Sequence, residues 1–285
     1  MSATHGVSSI EPASLAPGEV QVWHFALDAD AATQAALARL LDEEERGQAQ
    51  RFRFEEHRRR FIVRRGMLRL VLARFLGAAP ETLRFARGAL GKPAVAWPQA
   101  TPLTFSTSSS AGLGAVAVAG GRELGLDVEH IRPDRDHDLI ARQFAGAEAA
   151  ALRDLPPALQ AAAFFDLWTC KEAYLKGKGL GLSESLDQFA FAPVLPAPQC
   201  ATATPLIMHV SGGARETGIR EGLSAGPAHP FAPPHAPRLA WSMIEAADVE
   251  RWSFYRLALA PGFAACLAVA GGCDKLYCRG FEGRS

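Results

Sequence analysis

After a loose opening stretch, Val20–Leu27, apolar apart from Gln21 and His24, reads as a strand, an element of period two. The same signal returns at Leu103–Ser106, Leu113–Ala119 and Leu124–Glu129. Between the first and second of these the period lengthens. Asp30–Ala49, opened by an acidic residue suited to capping, predicts one helix. Phe52–Leu76 predicts another, with Phe61, Leu68, Leu72 and Phe75 on one side and an arginine-rich opposite face. Gly77 and Pro80 end it, Leu83–Phe85 reads as a short strand, and Gly88–Pro93 as a turn.

Helical spacing resumes at Asp138–Phe144, Ala147–Leu155 and most clearly Leu159–Lys176, with Gly177 as its stop. The 193–237 segment, rich in proline, glycine and alanine, predicts irregular surface structure. Arg238–Ile244, Ser253–Leu259 and Phe263–Ala270 then alternate like strands. One segment echoes another: Ala115-Val-Ala-Val-Ala-Gly-Gly-Arg-Glu-Leu124 resembles Ala265-Cys-Leu-Ala-Val-Ala-Gly-Gly-Cys-Asp-Lys-Leu276. A separation of roughly 150 residues is too long for a solenoid. It predicts an α+β fold of two pseudo-twofold-related lobes, 18–137 and 138–285, the second carrying the 193–237 insertion. A cleft between such lobes is a common place for a ligand.

At 285 residues with 48% hydrophobic and 21% charged side chains, the chain can bury a substantial core. Lysine plus arginine equals aspartate plus glutamate at 30 each, so there is no global field for a nucleic acid, and any anion site must be local. The opening residues lack a basic start with an apolar run, and no stretch of about eighteen apolar residues occurs, so a cytoplasmic protein without a membrane span is expected. Cys170, Cys200, Cys266, Cys273 and Cys278 lack CxxC spacing and are expected as reduced thiols.

In Gly125-Leu-Asp-Val-Glu129, strand alternation projects Asp127 and Glu129 to one side. Two carboxylates side by side repel unless a cation lies between them. Magnesium, which takes one or two carboxylates together with substrate phosphates, meets that need; two solvated acids at a sheet edge are the ordinary alternative. In the Phe164–Gly179 segment, Trp168, Glu172 and Lys176 share a helical face. That is either a solvated i,i+4 pair or a third carboxylate beside an ammonium for a phosphate. Arg46, Arg51, Arg53, Arg58, Arg59, Arg60, Arg64 and Arg65 are scattered by helical spacing, so only one or two can reach one phosphate. Gly91-Lys92-Pro93 and a serine turn over Phe105–Ser110 add candidate anion donors. No GxxxxGK[ST] or HExxH occurs.

These pieces stand in one order: Arg46 before a basic helix, GKP, the serine turn, GLDVE, then WTCKEAYLKGKGLGL. The series resembles the Sfp-type 4′-phosphopantetheinyl transferases, whose hallmarks are a G-[IVL]-D-[IVL]-E strand and a W-x-x-K-E-[AS]-[FY]-x-K-x-x-G-x-G-L helix, here Trp168 to Leu182. Phe144 with Glu148 matches the short motif between them. The resemblance covers about Arg46 to Phe191 and implies a holo-[acyl-carrier-protein] synthase reaction. In it, the phosphopantetheine arm of coenzyme A passes to a serine of an acyl or peptidyl carrier protein, releasing 3′,5′-adenosine bisphosphate. It further implies magnesium on Asp127, Glu129 and Glu172, and Lys176 at the phosphates. Arg46, Arg87, Gly91, Lys92, Pro93, Ser108 and Ser109 would lie around the adenosine and 3′-phosphate end, in a monomer. Glu172, or a carboxylate acting through a water on the metal, would take the serine proton.

One departure matters. The family usually reads N-[IL]-S-H-S where this chain has Ser106-Thr-Ser-Ser-Ser110, so a serine, Ser109, replaces a histidine. A shorter neutral hydroxyl implies weaker coenzyme A binding, and Ser109→His is expected to lower the KM for coenzyme A. A noncatalytic coenzyme- or carrier-binding homologue is the alternative, against which all three acids and Lys176 are retained.

Overall fold

The computed structural model describes residues 13–88, 91–98, 101–132, 138–180, 184–192, 219–222 and 237–283. Its elements are β1 (Glu19–Ala26), α1 (Ala31–Leu40), α2 (Glu43–Gln50), α3 (Glu55–Leu76), β2 (Arg84–Arg87), β3 (Pro93–Trp97), β4 (Leu103–Ser110), β5 (Leu113–Gly120) and β6 (Leu124–His130). They continue as α4 (Asp138–Ala141), α5 (Gly146–Arg153), α6 (Pro157–Lys178), β7 (Phe189–Phe191), β8 (Ile219–Gly222), β9 (Leu239–Ser242), α7 (Asp248–Arg251), β10 (Trp252–Arg256), β11 (Phe263–Ala270) and β12 (Lys275–Gly283). The fold is mixed α and β. Among the described residues no helix is long and apolar enough to cross a membrane. Cys200 lies outside them, and the other four cysteines are free thiols.

Two sheets carry the architecture, one ordered β4-β5-β1-β12-β8 and the other β10-β11-β6. Strand alternation sorts their side chains into layers. Val20, Val22, Ala115, Ala117 and Ala119 of the first sheet pack on Leu124, Leu126, Val128, Ala265, Leu267 and Val269 of the second. Small alanines facing larger residues let the two sheets approach closely. On the first sheet's other side, Trp23, Phe25, Phe105, Val116 and Val118 pack on α3 through Val63, Met67, Leu68, Val71 and Leu72. The second sheet turns Phe254, Ala264, Cys266 and Ala268 to α6, which meets them with Phe164, Leu167, Cys170, Ala173 and Tyr174.

Several sequence expectations need correcting. The helix expected over Asp30–Ala49 is two, because Asp42 and Glu45 form a capping box that starts α2 after Leu41 has turned extended. The serines expected in a turn belong to β4, which pairs with β5 as far as Ser110 opposite Leu113; the turn itself is left to Ala111 and Gly112. Gly177 does not stop the last long helix. It lies inside α6, where a Cβ would meet the Trp252 ring at 2.6 Å, and Gly179, at φ +78°, ends the helix. Strands β3, β7, β8 and β12 go beyond the expected elements; β8 falls in the 193–237 segment expected to be irregular, most of which lies outside the described residues.

Candidate active site

The site is assembled where β6 passes under α6. Gly125 permits that approach: a Cβ there would fall 1.9 Å from the Ala173 carbonyl oxygen and 2.3 Å from the Gly177 nitrogen. With strand and helix this close, the α6-facing side of β6 brings Asp127 and Glu129 to Glu172 and Lys176. All four line a cleft of about 300 Å³, together with Ser108, Ser109 and Thr107 of β4, Arg64 of α3 and Trp168 of α6.

Helix α6 is held in register from its buried side. Lys171, fully buried, reaches Glu148 Oε2 at 2.8 Å and donates to the Leu186 and Phe189 carbonyls at 2.8 Å each. Glu148 also accepts from the Phe191 amide at 2.8 Å. Desolvation lowers the Lys171 pKa and raises that of Glu148, each opposed by its partner. Since Lys171 is fixed inward, its neighbour Glu172, one helical step round, is directed to β6.

Among the described residues the outer edge of β6 has no strand neighbour. Its amides are met instead by β4 hydroxyls: Ser106, Ser108 and Ser110 Oγ accept from Leu126, Val128 and His130 at 3.0, 3.1 and 3.1 Å. Ser108 in turn donates to Asp127 Oδ1 at 2.9 Å and Ser110 to Glu129 Oε2 at 2.7 Å. Lys176 Nζ is 2.6 Å from Asp127 Oδ1 and 3.1 Å from Ser108 Oγ. The alternating serines thus aim both acids.

These acids are crowded. Asp127 Oδ2 and Glu172 Oε1 are buried without a hydrogen-bond partner among the described residues. Burial, then the Asp127 carboxylate, push the Glu172 pKa up to about 7 against the pull of Lys176. Burial raises Glu129 as well. Buried carboxylate oxygens left unpaired are costly. A hard divalent cation with oxygen ligands fits this donor set, and Asp127, Glu129 and Glu172 are the residues that would hold it. As the side chains stand, Lys176 occupies Asp127 Oδ1, and the described acids are not drawn into a closed ligand cluster.

Of the residues singled out in the sequence, Asp127, Glu129, Glu172, Lys176, Ser108 and Ser109 meet in the cleft, together with Trp168 and Arg64. Arg46 donates at 3.4 Å to the Arg39 carbonyl and lies outside its lining. Arg87 is exposed at the end of β2, Gly91 is a turn residue at φ +84°, and Pro93 opens β3. Lys92 donates to the Leu124 and Gly177 carbonyls at 2.9 and 2.7 Å, tying β3 to the strand and helix that carry the acids. The sequence leaves Arg64 undistinguished among eight arginines and includes Thr107 only as part of the Phe105–Ser110 segment. A signal for Arg64 existed: Arg58, Arg59 and Arg60 have Glu55 or Glu56 three or four residues earlier, whereas Arg64 has no acid at those spacings.

The model of the 4′-phosphopantetheinyl transferase superfamily matches residues 123–206, which contain the acids and α6, and that of the 4′-phosphopantetheinyl transferase N-terminal region matches residues 28–120. The 4′-phosphopantetheinyl transferase HetI of Nostoc is 38% identical over 198 residues, 68% of this chain and 84% of its own. The chain belongs to the 4′-phosphopantetheinyl transferase family. A phosphopantetheinyl transferase of Thraustochytrium is 28% identical over 261 residues, covering 82% of this chain and 88% of its own. The 4′-phosphopantetheinyl transferase Sfp of Bacillus subtilis is 28% identical over 147 residues, 52% of this chain and 64% of its own. The transferase's acids thus lie within the segment matched by the superfamily model, and its α3 and β4 within the segment matched by the N-terminal one.

Proposed function

We propose that the cleft is the catalytic centre of an Sfp-type transferase. It would pass the 4′-phosphopantetheine arm of coenzyme A to a serine of an apo acyl or peptidyl carrier protein and release 3′,5′-adenosine bisphosphate. The observation that carries this reading is the pair of unpartnered buried oxygens on Asp127 and Glu172 beside Lys176.

Asp127, Glu129 and Glu172 would hold magnesium, which when bound would offset the charge of the coenzyme pyrophosphate. Lys176, already aimed into the cleft by Asp127 and Ser108, turns to the phosphate as negative charge develops there. Glu172, besides holding the cation, takes the proton of the carrier serine; its Oε1 has no hydrogen-bond partner among the described residues. Full turnover in Glu172→Gln with unchanged magnesium affinity would refute that last role. Ser108 and Ser110 keep the strand acids in place, and Arg87, Gly91, Lys92 and Pro93 belong to the rim toward the adenosine end. Arg46 acts from the start of the basic helix region.

The same reading divides the chain into lobes 18–137 and 138–285 about a pseudo-twofold axis. In support, the two echo strands exchange sheets in opposite senses: β5 of the first sheet runs through Gly121 into β6 of the second, and β11 of the second through Gly271 and Gly272 into β12 of the first. Each lobe carries one 22-residue helix, α3 or α6. The protein works as a cytoplasmic monomer.

The test is intact-protein mass spectrometry of an apo acyl carrier protein incubated with the protein, coenzyme A and magnesium. A gain of one phosphopantetheine, lost in Asp127→Ala, is expected. No gain on several carriers while coenzyme A still binds would favour a noncatalytic binding protein.

A further inference from the structure

Position 109 and Arg64 approach the cleft from the same side. On β4, Ser109 follows Phe105 and Thr107 on the face turned to α3, and Arg64 comes from α3 itself. The neighbouring arginines are spent on carboxylates: Arg58 and Arg59 on Glu55, Arg60 on Asp28 and Glu56, Arg65 on Glu45, and Arg69 on Asp42 and Glu45. Arg64 has no carboxylate or carbonyl partner among the described residues; its guanidinium lies over the Phe61 ring at 5.6 Å and lines the cleft. Burial and the charge of Arg65 lower its pKa, so an anion beside it would be favoured.

We propose that Arg64 supplies from α3 a positive charge that the neutral Ser109 does not, and that its guanidinium holds a phosphate of coenzyme A. The short Ser109 side chain leaves the guanidinium room, and its hydroxyl can donate to the same phosphate. A guanidinium fork matches phosphate oxygens and stays charged at any working pH, which an imidazole does not. The assignment rests on the cleft being the coenzyme A site.

Arg64→Met keeps a stem to pack on Phe61 and removes the charge. The KM for coenzyme A should rise about tenfold or more while kcat stays within about twofold, the size expected for one hydrogen bond to a charged group. The Kd of 3′,5′-adenosine bisphosphate, measured by calorimetry without magnesium, should rise to match. Adding Ser109→His to Arg64→Met should recover most of the loss, whereas Ser109→His in the unaltered chain should lower KM much less. Repeating the assays with dephospho-coenzyme A tells which phosphate is held: the penalty vanishes if it is the 3′-phosphate and persists if it is the pyrophosphate. Unchanged KM and Kd in Arg64→Met overturn the assignment. If the unaltered protein modifies no carrier yet binds the bisphosphate through Arg64, the transfer reading fails and the anion site stands.

Discussion

Gly125→Ala is the sharpest perturbation of this site, because it adds one methyl where two backbones meet. The new Cβ would stand 1.9 Å from the Ala173 carbonyl oxygen and 2.3 Å from the Gly177 nitrogen. Ordinary contact begins near 3.4 Å, so strand and helix must part by about 1.5 Å, and no side chain can yield in their place. Overpacking a close-packed interior costs about 3 kcal/mol at the upper end of its usual range, which for a chain of this size lowers Tm by roughly 6–12 °C. The same displacement separates Asp127 and Glu129 from Glu172 and Lys176. A misplacement of about 1 Å commonly costs about 100-fold in rate, so kcat/KM should fall at least that far even at temperatures where the variant is folded. Differential scanning calorimetry and carrier-modification kinetics are the assays, with Gly120→Ala, whose Cβ meets nothing within 4 Å, as control. A Gly125→Ala protein that melted with Gly120→Ala and kept full activity would refute the close strand-helix approach as the basis of the site.

Glu172 has a folded pKa of about 7 against 4.5 as reference, so the folded state holds its proton more tightly. Its stabilising effect is full below the lower value and lost as pH rises through the higher one. Without divalent cation, the Tm of the unaltered protein should therefore fall, relative to Glu172→Gln, as pH climbs through this window; parallel curves would contradict it. Magnesium should raise Tm more at pH 8 than at pH 5, and equal shifts would count against carboxylate ligation. Lys171→Met leaves Glu148 buried without its cation and should cost about 3–5 kcal/mol in urea unfolding; a loss below about 1 kcal/mol would show the pair to be dispensable.

Local periodicity located α3 and most of the strands, because each buries a face whose spacing the sequence displays. It could not show which parts touch. Gly125 looked like one glycine at a strand start, and its reason is a helix about 50 residues later. The β4 serines looked like a turn because hydroxyl residues favour turns; here they satisfy the open edge of β6, a contact between two sheets. Asp127, Glu129, Glu172 and Lys176 could be named because alternation and helical spacing each paired two of them, and the resemblance joined the pairs. Lys92 shows the limit of composition: a lysine in a glycine turn reads as an anion donor, yet both of its described bonds go to backbone carbonyls.

Strand β1 lies between β5 and β12, and its pairing with β12 is parallel, from Glu19 opposite Lys275 to Phe25 opposite Phe281. During synthesis β5 follows β1 by about 90 residues, and the other edge of β1 must wait for some 150 more, roughly 8–30 s at ordinary ribosome speeds. Throughout that interval a nascent chain presents an unpaired, apolar strand edge, the kind of surface that recruits strands from other chains. Slow translation and high expression therefore pull against each other for this protein, and its yield of native molecules should respond to growth temperature and chaperone supply more than its equilibrium stability does.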